Sequence, residues 1–142
     1  MRDPYNLDRF LEAQSGIYER VLDELRRGQK SSHWMWFIFP QIRGLGRTET
    51  SVFFAISSLA EARAYLEHPV LGPRLRECCE LLLQLEGKSA SEMFGFPDDL
   101  KLRSSMTLFA QVEFESDVFQ SVLNQCFEGE PDPRTLELLK LM

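Results

Sequence analysis

Ser32-His33-Trp34-Met35-Trp36-Phe37-Ile38-Phe39-Pro40-Gln41, followed by Gly44-Leu45-Gly46-Arg47-Thr48, is the stretch on which the fold of this chain turns. It holds both tryptophans and one of the two histidines. Residues 34–39 are all apolar, so no amphipathic period can be read from them. A run this short cannot cross a bilayer, which takes about 20 apolar residues. It is therefore expected to be buried near the centre of the protein, in contact with several elements. Trp34 and Trp36, two positions apart, cannot share a helix face. In an extended segment they would share one face and leave His33 and Met35 on the other. Pro40 ends whatever regular structure precedes it, and Gly44 and Gly46 allow backbone conformations that other residues resist.

On the N-terminal side, Leu7, Phe10, Leu11, Gln14, Ile17, Tyr18, Val21, Leu22 and Leu25 recur at helical spacing. They predict one amphipathic helix over residues 6–27, or two end to end with Ser15-Gly16 between them. Asn6 is the expected N-cap and Gly28 the expected stop. Gln14 is either the polar edge of the stripe or a buried amide that needs partners.

On the C-terminal side, residues 50–56 read as a short helix or an irregular segment. Ser58-Leu59-Ala60-Glu61 and Ser89-Ala90-Ser91-Glu92 are capping-box patterns that each open a short helix. Between them, Leu71, Leu75, Cys78, Leu82 and Leu85 trace another buried face, with Pro73 in its first turn and Gly87 closing it. Leu102, Met106 and Phe109 suit a helix over residues 100–112, despite the low propensity of Ser104 and Ser105. Ser116 is the expected cap of a helix whose apolar face carries Val118, Phe119, Val122, Leu123, Cys126 and Phe127. Asp132-Pro133 opens the last helix, with Leu136 and Leu139, and also Leu138, as its inward residues. No run alternates with period two, and no internal repeat is present. The expected fold is mainly α: residues 1–142 as one compact bundle of about seven helices around a buried, irregular Trp-rich segment.

Composition narrows the function classes. With 44% hydrophobic and 27% charged residues the chain is an ordinary globular one. A net charge of −6 argues against bulk nucleic-acid binding, although Arg26, Arg27, Lys30, Arg43 and Arg47 flank the central motif. No hydrophobic leader or membrane span is recognisable, and three cysteines, two of them adjacent, do not form a disulfide framework. The expected compartment is a reduced cytoplasm. No cofactor is implied, no membrane partner is expected, and oligomeric state is not encoded in any recognisable pattern.

Several residues carry possible chemistry, each with a structural alternative. His33 has the side chain for general acid–base work, or for bonding the backbone at a helix end. His68, before Pro69, reads first as a partner of a helix C-terminus. Trp34 and Trp36 would serve as a wall on which a base stacks, or simply as core. Residues 44–48 would form an anion-binding turn with Arg47, but lack the lysine and spacing of a P-loop. Arg103-Ser104-Ser105 has no nucleophile elbow around it, so helix-packing hydroxyls are the default there. No histidines or acids stand at metal-ligand spacing.

The run SSHWMWFIFPQIRGLG, with AYLEHPVLGPRL, FGFPDDLKLRSSMTLF and the opening DPYNLDRFLEAQ, resembles the bacterial family catalogued as domain of unknown function 1810. The likeness covers nearly the whole chain and implies a compact, mostly helical domain without implying an activity. Some members carry the label "calpastatin", yet no repeated inhibitory segment exists in this chain. Asp8-Arg9-Phe10-Leu11-Glu12-Ala13-Gln14 is also similar to the aromatic-rich helix, led by glutamate and ending Ala-Gln, of the NADAR family of ADP-ribose N-glycosidases. That likeness implies an acidic role for Asp8, where aspartate replaces glutamate, and puts Gln14 on the same face.

Together these features give an expected pocket for a nucleotide-like ligand, related to ADP-ribose or NAD. Asp8 and His33 are its expected acid–base residues. Gln14, Trp34, Trp36, Gln41, Gly44, Gly46, Arg47 and Ser104 are its expected ligand-binding residues. The alternative is a non-catalytic protein-interaction module in which the aromatic run is only core.

Overall fold

In a computed structural model, residues 3–112 and 118–142 are described. The first stripe divides where Ser15-Gly16 interrupts it, into α1 (Asp8–Gln14) and α2 (Tyr18–Arg27), and α2 ends at Gly28 as expected. The expected cap at Asn6 is corrected. Asn6 has φ 52, not the extended backbone of an N-cap. Asp3 takes that role from further back, accepting the N–H groups of Leu7 at 2.8 Å and Asp8 at 3.0 Å.

The Trp-rich run is neither extended nor wholly irregular. It contains one helical turn, α3 (Met35–Ile38), and is followed by α4 (Glu49–Phe53), whose first turn is capped by Thr48. Then come α5 (Leu59–Glu67), α6 (Leu71–Leu83), α7 (Ala90–Phe94), α8 (Asp98–Ala110), α9 (Val118–Phe127) and α10 (Pro133–Lys140). Among the described residues there are ten helices rather than about seven. The additional ones come from the division at residue 15 and from turns of four and five residues at α3 and α4. Elements that short are too brief to display a period, and tertiary packing holds them instead.

Helix α8 is the axis of the bundle. It packs against α3, α5, α7, α9 and α10, and it buries Leu102 and every residue from 104 to 110. Buried polar groups on such a helix need partners, although the Ser105 hydroxyl has none among the described residues. Ser104 and Thr107 donate to the carbonyls of Leu100 and Arg103, four residues back. Helix α6 lies against α2, α5 and α9 and reaches α5 closely: a Cβ on Gly72 would stand 2.1 Å from the Leu66 carbonyl oxygen.

Capping follows the sequence in part: α6 ends at Leu83 with Gln84 as its C-cap, rather than at Gly87. Ser89 and Glu92 form the reciprocal box, and Asp132 accepts from Thr135. Ser58 accepts from Glu61 N–H, but the Glu61 carboxylate turns inward, so that box is half-formed. In α10 the buried leucine is Leu138; Leu136 and Leu139 are half-buried. The expected cap Ser116 lies outside the described residues. No strand occurs among the described residues; Ile42 and Ile56 form one isolated parallel bridge. No helix among them is long and apolar enough to cross a membrane.

Candidate functional site

The Trp-rich run is a structural hub. Trp34 is 0% exposed, and its indole N–H donates to Glu24 at 2.9 Å. The same carboxylate accepts from the backbone of Ser31 and Ser32 and from the Ser32 hydroxyl. Burial alone would raise the proton affinity of Glu24, but these four hydrogen bonds outweigh it and hold the group at about 2. The Lys30 ammonium stands 5.1 Å from the centre of the Trp34 ring and pairs with Asp98 at 2.8 Å. Because α3 is helical, Trp36 points elsewhere, with Lys101 over its face at 4.9 Å.

The expected site residues are therefore scattered. Trp36, Gln41 and Gly46 line one void of about 10 Å³, room for about one water molecule. The Trp36 indole N–H is buried without a partner among the described residues. A Cβ on Gly46 would meet the Ser51 side chain at 2.3 Å, so this turn closes on α4. Gly44 lies against Leu138, and Arg47 is exposed. His33 is exposed in the loop before α3. Gln14 is a buried amide with partners: it donates to the Phe37 carbonyl at 2.8 Å and accepts from Arg74 at 3.0 Å. Ser104 bonds Asp132 at 3.0 Å, tying α8 to the cap of α10. With Trp34 sealed in the core, its ring has no open face on which a base could stack.

Asp8 alone of the expected residues borders a larger hollow. This hollow, of about 460 Å³, is lined by Asp3, Tyr5, Asp8, Leu11, Ala64 and His68. His68 is the C-cap of α5, as expected, through its backbone N–H, which donates to the Tyr65 carbonyl at 3.2 Å, while its ring turns to the next helix. Its Nδ1 accepts the N–H groups of Val70 and Leu71 at 3.1 and 3.2 Å, at the start of α6. That leaves the proton of the neutral ring on Nε2.

A second hollow, of about 280 Å³, shares Pro4 and Tyr5 with the first and is bordered also by Asn6, Arg9, Arg43, Phe53 and Glu61. At this hollow Arg9, from α1, meets Glu61, from α5, in a buried ion pair at 2.7 Å. Arg9 also donates to the carbonyls of Tyr5, Asn6, Phe53 and Ala55, which uses all five guanidinium N–H bonds. The other Glu61 oxygen accepts from the Ser57 backbone and hydroxyl at 2.9 and 2.7 Å. The Ile42–Ile56 bridge, with Arg43 N–H donating to the Ile56 carbonyl at 2.8 Å, brings Arg43 to the same hollow. Arg43 has no carboxylate partner among the described residues, so one positive charge is left over.

Sequence reasoning missed Tyr5, Arg9, Arg43, Glu61 and Glu24 as site or framework residues. Glu61 was visible only as a capping residue. The pairing of Arg9 with Glu61 spans 52 positions, so no local pattern announces it.

The family model for "Protein of unknown function (DUF1810)" matches residues 4–139. The chain belongs to this family. The chain is also similar to a conserved hypothetical protein from Mycobacterium tuberculosis known from a crystal structure. The two share 51% identity over 99% of this chain and 100% of that one, with a TM-score of 0.96. No curated protein matches. The DUF1810 match takes in the tryptophan hub and every residue lining the two hollows except Asp3. Among the described residues no cluster of three metal-ligating side chains occurs.

Proposed function

We propose that this DUF1810 protein binds a nucleotide-type small molecule, of the kind ADP-ribose and NAD represent, in the two hollows that share Tyr5. The observation that carries this is Arg43, without a carboxylate partner among the described residues, beside an aromatic-walled hollow with an internally neutralised Arg9–Glu61 pair. A cation at such a place suits a phosphate, and the rings of Tyr5 and Phe53 suit a flat base or a ribose. Of the two adjoining hollows, the one of about 460 Å³ lies in the size range of small-molecule sites and the one of about 280 Å³ just below it. The similarity of the Asp8 to Gln14 segment to the NADAR helix points the same way. Asp8 and His68 border one hollow and are the carboxylate and imidazole available for chemistry on a glycosidic bond.

The test is thermal shift against AMP, ADP-ribose and NAD, with chromatography of each mixture to detect turnover. Binding raises the melting temperature with the logarithm of ligand concentration. Tyr5→Ala and Arg43→Gln should each remove that rise. No shift with any of the three ligands at millimolar concentration sinks the reading.

A non-catalytic interaction module is the second reading. It is favoured by apolar side chains left in water, above all Phe96, which is 80% exposed ahead of α8. It predicts self-association in sedimentation velocity that Phe96→Ser abolishes. A monomer at every concentration counts against it.

A further inference from the structure

Charge is segregated between the two hollows. On the Arg43 side, Arg9 and Glu61 cancel, and Arg43 is a net positive charge. On the other side, Asp3 and Asp8 are acidic, and the remaining wall is largely apolar, with Leu7, Leu11 and Ala64. The Asp3 carboxylate is occupied with the backbone N–H groups of Asp8 and Leu7, which also lower its proton affinity. The Asp8 carboxylate makes no hydrogen bond or ion pair among the described residues and is exposed at the mouth of the apolar hollow. Tyr5, half-buried, borders both hollows.

A free carboxylate beside an apolar wall and a tyrosine ring is the environment of an organic cation. The carboxylate supplies charge, the ring supplies cation–π attraction, and the apolar wall accepts a flat, weakly hydrated ion. It is a poor place for a second anionic group, which Asp3 and Asp8 would repel. A ligand crossing Tyr5 would then need opposite charges at its two ends.

Resting on the nucleotide reading above, we propose that the site selects a dipolar ligand: a ribosylated heteroaromatic cation at the Asp8 side of Tyr5, joined to a phosphate at Arg43. Uncharged-base nucleotides satisfy only the Arg43 half. His68, at the same hollow, offers its Nε2 proton as a donor to a polar substituent on the ring.

Calorimetry with four probes decides it: nicotinamide mononucleotide, its reduced form with an uncharged ring, nicotinamide riboside without phosphate, and AMP. The oxidised mononucleotide should bind at least about tenfold tighter than the reduced form, a gap of about 1.4 kcal/mol. Asp8→Asn should close that gap. Arg43→Gln should bring the mononucleotide down to the affinity of the riboside. Both residues are exposed, and circular dichroism with the melting temperature checks that each variant is folded. Equal affinity for the oxidised and reduced mononucleotides overturns the proposal and leaves nucleotide binding standing. Binding by none of the four overturns both.

Discussion

The Trp34 indole and the Glu24 carboxylate meet at 2.9 Å in the interior, and the same carboxylate holds the two backbone N–H groups that lead into the tryptophan run. One acidic side chain on α2 thereby sets the entry path of the whole central segment. Its charge is tolerated because four donors replace the water that burial removes.

Acid stability should report this carboxylate. Its folded value of about 2 lies below the ordinary 4.5, so the native protein holds fewer protons than the unfolded chain between those limits. The stability it contributes is complete above pH 4.5 and is lost as pH falls toward 2. Glu24→Gln should lower the melting temperature at pH 7, and its deficit relative to wild type should shrink through that window. A deficit that stays constant from pH 7 to 2 contradicts the assignment.

The ion pair beneath the smaller hollow makes a second prediction. Glu61→Ala leaves Arg9 buried without its counter-charge and should cost about 3–5 kcal/mol in denaturant unfolding. Replacing both partners, with Arg9→Met and Glu61→Leu, should recover part of that loss, because no orphaned charge remains. A double variant weaker than Glu61→Ala would show that the carbonyl contacts of Arg9, and not the pair, dominate.

The two tryptophans should behave differently. Trp34 is fully enclosed, so Trp34→Ala should cost about 3–5 kcal/mol. Trp36 is half-buried, and Trp36→Ala should cost clearly less. Equal losses would mean that Trp36 is as enclosed as Trp34.

Thiol reactivity should follow burial. Cys78, Cys79 and Cys126 form no disulfide, and burial pushes Cys78 up to about 12 and raises Cys126. Three thiols should titrate in denaturant without reductant. In the native protein Cys126, half-buried, should react first, and Cys78 should react only on the timescale of unfolding. Rapid native labelling of Cys78 would contradict its burial.

Much of this architecture is written locally. The stripe from Leu7 to Leu25, the break at Ser15-Gly16, the box at Ser89 and Glu92, and the cap at Asp132 each involve residues a few positions apart. Helical hydrogen bonds and caps act over the same short range, so sequence alone determined the mainly α class and most helix positions. The turn Met35–Ile38 was not legible, and Glu49–Phe53 only as one of two readings of residues 50–56, because four or five residues hold no full period. Nor could sequence say which polar residues lie inside. Gln14 could be singled out because it interrupts an apolar stripe, but Arg9, Glu24 and Glu61 look like ordinary solvated charges on amphipathic helices. Whether such a charge is buried depends on a partner brought from elsewhere in the chain. Only the tertiary structure set Arg9 against Glu61 and carried Arg43 to their side through the Ile42–Ile56 bridge. That assembly decided where the hollows lie, because a buried charge persists only where distant groups replace its water.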